Sequence, residues 1–512
     1  MGLRASLSRG IAACLSLLAP GTAERYLAAH VRLGAYYGYD AARRDGPNGR
    51  WRPADGKADL MLTRDADLIR ARARAMVRDN PNMGGALRKI ANNVVYTGIT
   101  PQAQLKDGQG RLRKADTQRI EDQWAAWGNA VDLWEQQVLA VRHLWQDGGF
   151  LQHYYLDKSL LRRGLVPLGL ELLDVDAMDK SAEGRLDNGN VAYKGREYDS
   201  LGHVVAYYLW RDALFGGIGG HASFGSLRRG GFSSGDSVRV PAENCRLVML
   251  RDRIGQTIPV SWLHSCLMTM HDFDEYQSSE RIAARLNAAF AVFLKHTGAV
   301  PMGNDAQGRP LTGGETTAGK RLSVDSFISS GRIDELPPGR EIDIAESKRP
   351  GSNYEPYSRT SLRSGSTGMG MSYESFSNDF TEASYASMRQ GILEERRGYR
   401  VQQFFLSQKS LAPSWLRFVE ARRFFGMGPE REVPVQWQMN GWQWVDPAKD
   451  ATAAQTRLDM RVTTRRALCS EMGLDFDDVL EQLAEEERLI REAGLSPAQS
   501  RAPITREGDE NV

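Results

Sequence analysis

Apolar residues fall at helical spacing over the first folded stretch. Leu68, Ile69, Ala73, Met76 and Val77 share one face, Asp65 stands at its start, and Asn80-Pro81 closes it. A second helix is expected from about Asn82 to Val94. Residues 113–148 read as helical and carry Trp124, Trp127, Trp134 and Trp145. Between 150 and 260 the pattern shortens to strand-like runs between Gly-rich turns: Val166–Leu173, Val191–Tyr198, Val204–Trp210 and Arg246–Leu250. Residues 272–297 give the strongest helical signal. Asp272 or Asp274 is placed to cap it, Ile282, Leu286, Phe290, Phe293 and Leu294 form its stripe, and Lys295, His296 and Gly298 end it. Such a helix spans roughly 35–40 Å.

The polar, Gly/Pro-rich stretch 298–352 holds one short strand near Glu341–Ile344. A helix over 353–371 is weakened by Gly365, Gly368 and Gly370, and a stronger one covers 384–409. Short helices fill 447–494 and end in an acidic one, Asp475–Glu487. Residues 24–58 read as an extended arm and 495–512 as a disordered tail. Helices, then strands, then helices, without an internal repeat, make this an α+β chain.

Composition narrows the picture in a few respects. The 512 residues are 41% hydrophobic and 25% charged, as in ordinary folded chains, with a net charge of +2. No global basic excess demands nucleic acid, although local charge still decides contact. The four cysteines, Cys14, Cys245, Cys266 and Cys469, are scattered, which argues against a disulfide framework or a zinc site and fits a reducing cytosol. No apolar run reaches the ~20 residues of a membrane helix. Near the N-terminus, Arg4 and Arg9 precede the apolar run Ile11–Leu18, which reads either as a weak secretory signal or as an amphipathic arm.

Three patterns invite a chemical reading. Gly314-Glu-Thr-Thr-Ala-Gly319-Lys320-Arg321 nearly matches a phosphate-binding loop, but Arg321 stands where a metal-binding hydroxyl belongs and no strand leads in. Gly231-Phe-Ser233-Ser-Gly235 has nucleophile-elbow spacing without the strand and helix that hold the serine in strain. His264 and His271 near Asp272 and Asp274 match no ligand spacing, and His143 and His153 read as structural. The arginines at 70, 72, 74 and 78 suit a solvated or inter-subunit face better than a DNA-reading helix. No constellation supports catalysis, so neither a catalytic residue nor a metal or other cofactor is assigned.

A series of phrases resembles the lambda-type family of tailed-phage portal proteins. Arg72-Ala-Arg-Ala-Met-Val-Arg-Asp-Asn-Pro81 leads to Ile90-Ala-Asn-Asn-Val-Val95 and Thr97-Gly-Ile99. Val240-Pro-Ala242 and Arg253-Ile-Gly-Gln256 follow, then His271-Asp-Phe-Asp-Glu-Tyr276. Glu335-Leu-Pro-Pro-Gly339, Arg349–Pro356, and Met371–Phe380 through Arg389 come next, and Trp442-Gln-Trp-Val-Asp-Pro447 is last. The resemblance covers roughly residues 64–490. Ile254 stands where the family usually has Pro, Thr257-Ile258 where it has Arg-Gly, and Ser384-Tyr385 where it has Asn-Tyr.

The resemblance implies a portal fold assembled as a ring, typically of twelve copies, at one capsid vertex of a virion put together in the host cytoplasm. It implies an N-terminal arm (1–63), a wing (64–271), a first stem helix (272–297), a clip (298–352) and a second stem helix (353–371). A tunnel loop with its helix (372–409), a wing return (410–446), a crown (447–494) and the tail (495–512) would complete the chain. Double-stranded DNA would pass the channel without sequence readout, touching Asn378, Asp379, Phe380 and Thr381 on the tunnel loop and Arg281 and Arg285 on the stem. The implied protein partners are the terminase large subunit, major capsid and scaffold proteins, and head-completion proteins; no membrane is implied. Two other readings remain: a nucleotide-dependent packaging enzyme using the loop 314–320, and a monomeric nucleic-acid-binding protein using the arginines at 70–78.

Overall fold

The structure is a computed structural model and describes residues 56–214, 237–289, 293–296, 340–343 and 353–494. The chain divides into two units, residues 1–61 and 62–512, and the second holds the sheets, the core and the candidate site. The motifs around Lys320 and Ser233, the terminal arm and the tail lie outside the described residues.

Helix α1 (Ala58–Asp79) ends where α2 (Pro81–Val95) begins. Asn80 both closes the first and caps the second: its side chain accepts from the N–H groups of Asn82 and Met83, and Pro81 takes the first helical position. A short strand β1 (Thr100–Ala103) follows. The expected helical stretch 113–148 is two helices, α3 (Lys114–Ala130) and α4 (Leu133–Gln146). The break is at Asp132, which adopts φ 53° in the left-handed region.

Strand β2 (Gly149–Leu156), a short α5 (Lys158–Arg162) and β3 (Leu168–Leu173) come next. β2 escaped the sequence reading because it is buried on both faces over Gly149–Tyr154 and shows no alternation. The expected strand 191–198 is a hairpin. It follows β4 (Gly184–Arg185) and consists of β5 (Val191–Tyr193) and β6 (Arg196–Tyr198). Lys194 and Gly195 both have positive φ, 49° and 76°, as a two-residue hairpin turn requires. With β7 (Val204–Trp210) and β8 (Ser237–Pro241) these form an antiparallel five-stranded sheet, β4-β5-β6-β7-β8. A smaller sheet sets β2 between β3 and β9 (Cys245–Met249), both antiparallel to it.

Helix α6 (Leu267–Ala289) begins five residues earlier than expected and stops short. Asp272 and Asp274 lie inside it rather than at its cap. Lys295 and His296 belong to a strand, β10 (Phe293–His296), paired with β11 (Arg340–Asp343). α6 packs against α7 (Tyr354–Gly368), and the glycines that weaken α7 on paper explain themselves there. A Cβ on Gly368 would stand 2.8 Å from the Cys266 Cβ, and one on Gly365 would run into the Met270 sulfur. Small residues let the two elements approach.

After α8 (Tyr373–Ser377), helix α9 (Tyr385–Leu406) runs through a π turn, Ser407–Leu411, into α10 (Ala412–Phe424). A strand β12 (Val435–Gln438) pairs with β1. Helices α11 (Pro447–Asp459), α12 (Arg465–Glu471) and α13 (Phe476–Glu492) end the described chain.

The main core gathers α2, α3, α4, the small sheet, α9 and α10. At its centre Trp124 packs on Trp127, Trp415 and Phe418, with ring centroids 4.7, 5.2 and 5.2 Å away. Burying a side chain such as Phe418 contributes roughly 1.5–3 kcal/mol. The tryptophan indoles also donate, Trp127 to the Leu168 carbonyl at 2.6 Å and Trp415 to that of Val433 at 2.8 Å. A second apolar cluster, including Leu151, Val175, Leu209 and Cys245, joins the two sheets.

Two arginines of the 70–78 run are structural rather than solvated. Arg70 is buried and donates to Asp67 at 2.9 Å and Asp176 at 2.7 Å. Arg74 reaches Asp147 at 2.7 Å, Asp176 at 2.8 Å and Asp174 at 2.6 and 2.7 Å. They tie α1 to the end of α4 and to the single turn Val175–Ala177.

Candidate functional site

The segment 372–384 lies between the α6–α7 pair and α9, and its backbone is held at both ends. Ser372 caps α8, accepting from the Ser375 N–H at 3.2 Å, while its own N–H donates to the Glu395 carboxylate at 2.7 Å. Asn378 ends α8 in the left-handed region, φ 57°, a conformation its short amide side chain tolerates. From α2, the Lys89 ammonium donates to the Ser375 carbonyl and the Asn378 side chain, both at 2.5 Å. Burial lowers the Lys89 pKa from the usual lysine value.

Beyond Asn378 the chain turns around Asp379. Its carboxylate accepts from the Thr381 hydroxyl at 2.6 Å, the Thr381 N–H at 3.1 Å and the Tyr373 hydroxyl at 2.8 Å. The two Thr381 hydrogen bonds, then that of Tyr373, lower its pKa to about 2, with Arg359 adding a weaker pull. Arg359, from α7, bonds Glu382 at 2.6 Å and Glu355 at 2.9 Å, and its hydrogen bond lowers the Glu382 pKa as well. Ser384 then opens α9 with a reciprocal Ser384–Ser387 capping box. The result is an ordered turn that presents Phe380, half exposed, together with exposed Asn378 and Thr381. A turn of this kind offers an aromatic face and small polar groups. It offers no array of base-reading donors and acceptors.

Replacing Asp379 by Asn removes the charge that gathers Thr381 and Tyr373. We expect D379N to keep its melting temperature while backbone amides 379–383 exchange at least tenfold faster, as hydrogen-exchange mass spectrometry would record. Unchanged protection would mean that the helix ends alone order the turn.

Arg281 and Arg285 are exposed on α6. Gly365 meets Met270 and Phe376 at the start of the turn, and Arg359, six residues nearer the start of α7, holds Glu382 at its far side. Arg281 and Arg285 lie further along α6, beyond Tyr276, which packs against Tyr354 and Tyr357 of α7. Lys89, Arg359, Tyr373 and Glu382, which shape the turn, were not singled out in the sequence; their partners lie on other elements, and no local spacing marks them.

The histidines are satisfied locally. His143 bonds Asp147 at 2.5 Å, His153 bonds Glu171 at 2.9 Å, His264 bonds the Ser261 carbonyl at 2.9 Å, and His271 faces Glu275 at 3.3 Å. Among the described residues no group of three or more His, Cys, Asp or Glu side chains is arranged to hold a metal ion, and no helix is long and apolar enough to cross a membrane.

The sequence model of the lambda family of phage portal proteins matches residues 44–403, well over half of the chain. The chain belongs to the lambda family of phage portal proteins. The family match spans the residues from α1 to α9, including the turn at 378–381, so this turn is part of a portal subunit.

The relatives agree. A probable portal protein of Halomonas phage phiHAP-1 is 26% identical over 476 residues, covering 89% of this chain and 87% of the relative. Portal protein B of Escherichia phage lambda is 21% identical over 266 residues, 48% of this chain and 50% of the relative. Among solved structures, the neck of an empty GTA particle with C6 symmetry is 13% identical, covers 83% of this chain and 95% of its own, and superposes with a TM-score of 0.41. The neck of a native GTA particle with C12 symmetry gives 14% identity and a TM-score of 0.38.

Proposed function

We propose that this chain forms a closed ring, of about twelve copies, at one capsid vertex of a tailed phage, and that DNA enters and leaves through its channel. The family match over residues 44–403 carries this reading. In the ring, the turn at Asn378, Asp379, Phe380 and Thr381 faces the channel, with Arg281 and Arg285 at a second level on the stem. The contact is sequence-blind, because an aromatic face and small polar groups touch any duplex alike. The ordered turn supports this role: a conduit loop that meets passing DNA must keep its shape without reading sequence.

Residues 64–271 and 410–446 form the wing, 272–297 and 353–371 the stem region, 298–352 the clip, 372–409 the tunnel loop and its helix, and 447–494 the crown. The clip meets the terminase large subunit and later the head-completion proteins, and capsid and scaffold proteins surround the ring. The energy of packaging comes from the separate motor, and this chain is a structural component rather than an enzyme.

The competing reading, a nucleotide-dependent enzyme centred on Lys320, separates cleanly in an ATPase assay of the purified full-length chain. We expect no hydrolysis above buffer, and none to lose in Lys320→Ala. Turnover by the wild type that vanishes in Lys320→Ala would overturn the structural reading.

A further inference from the structure

Helix α9 carries four arginines and two glutamates. Both acids are engaged. Glu394 pairs with Arg397 at 2.8 Å, and Glu395 accepts from the Ser372 N–H at 2.7 Å and the Tyr399 hydroxyl at 3.2 Å. Arg389 is paired as well, with Asp450 at 2.8 Å. Arg396 and Arg400 remain, and neither makes a hydrogen bond or an ion pair among the described residues. Arg70, Arg74 and Arg422, by contrast, each meet a carboxylate where they are buried or half-buried.

The two guanidinium groups are held instead against one indole. Their central carbons lie over the Trp442 ring, 5.8 Å from its centroid for Arg396 and 5.4 Å for Arg400. Trp442 is itself fixed: its indole N–H donates to the Asn93 side chain of α2 at 3.2 Å, and Tyr399 packs 6.4 Å away, centroid to centroid. Stacking orients a guanidinium and leaves its in-plane N–H donors for another partner. Arg396 is half-buried and Arg400 exposed. Burial lowers the Arg396 pKa, with the charge of Asp450 pulling the other way. Asp446, at the start of α11, is answered by Lys449 at 3.1 Å. A half-buried cation whose donors have no acceptor is unfavourable, and a bound anion reverses that.

We infer that Arg396 and Arg400, held on Trp442, bind phosphate groups of duplex DNA. The site is separate from the turn at 378–381, because Arg396 lies eleven residues along α9, roughly 17 Å from the end that carries the turn. One carboxylate cannot satisfy the donors of both guanidinium groups, whereas successive phosphates of one strand can. Phosphate contact carries no sequence information, which suits the passage of any duplex. The inference rests on the proposal that DNA passes through a ring of this chain.

The salt dependence of DNA binding tests it in the full-length protein, with a short duplex of random sequence as the probe. Each phosphate contact adds roughly 0.9 to the slope of log affinity against log salt. Arg396→Gln with Arg400→Gln should therefore lower the slope by about 2 and weaken binding at least about tenfold at moderate salt. Arg488→Gln with Arg491→Gln removes the same charge from glutamate-paired arginines of α13 and should leave the slope unchanged. The same preparations are imaged for rings. An unchanged slope in Arg396→Gln, Arg400→Gln, or an equal fall in the α13 pair, would overturn the site; with rings present, the ring reading would stand. Rings lost in Arg396→Gln, Arg400→Gln at an unchanged slope would assign the two arginines to a carboxylate of a second copy and also overturn it. Wild-type monomers whose slope still depends on the two arginines would keep the site and overturn the ring. If the double variant does not fold, Arg400→Gln alone decides: a slope lower by about 1 supports the site, and an unchanged one overturns it.

Discussion

Replacing Arg74 by Met should destabilise the fold by about 3 kcal/mol. Removing one partner of a buried ion pair costs roughly 3–5 kcal/mol, and the lower end applies because the Arg74 side chain remains 31% exposed. Asp147, with no exposed side-chain surface, would keep only His143, and Asp174 would lose both its contacts to the guanidinium. Melting by circular dichroism should show a midpoint lower by about 3 °C. The effect depends on pH in a definite direction. Burial alone would raise the Asp147 pKa, but hydrogen bonds from His143 and Arg74 outweigh it, so the folded value is depressed. A depressed carboxylate stabilises the fold above its unfolded pKa, ordinarily about 3.9, and that contribution is lost as pH falls through the folded value. Asp176 is depressed likewise, the charges of Arg70, Lys180 and Arg74 outweighing its burial. The gap between wild type and R74M should therefore narrow as pH falls below about 4. A gap that stays constant down to pH 2 would show that packing, not charge, explains the loss.

Gly148→Ala should cost at least about 3 kcal/mol, through backbone rather than charge. Gly148 makes the turn from α4 into the central strand β2 with φ +81°, and a Cβ there would overlap the backbone of Val260. Strain and overlap add, because the neighbour is main chain and cannot rotate away. Gly110 is the control: its φ is +78°, yet nothing lies within 4 Å of the added carbon. Gly110→Ala should cost about 1 kcal/mol, the conformational part alone. Equal losses in the two variants would remove the packing argument for Gly148.

What the sequence made legible depends on which signals are local. Asn80-Pro81 marked a helix boundary because capping and the missing proline N–H act within four residues. The helix expected over 384–409 is α9, which begins at Tyr385. β2 was hidden, since burial on both faces erases alternation, and α6 was displaced because its last apolar residues belong partly to β10. Gly365 and Gly368 looked like helix breakers until Met270 and Cys266, some hundred residues away, gave them a packing partner. Arg70 and Arg74 looked solvated because their acids lie up to 106 residues downstream. At the candidate site, Asn378–Thr381 are singled out by family phrases alone, whereas the Lys89 and Arg359 clamps on that turn come from elements far off in sequence.

In the proposed ring the 378–381 turn of every copy lines the channel. Electron microscopy of the purified full-length chain, carried to a three-dimensional reconstruction, would show this. The expected result is closed rings of about twelve copies, with Phe380 of every copy pointing into the central hole. Rings that turn Phe380 away from the hole, or monomers at every concentration and salt, would contradict it.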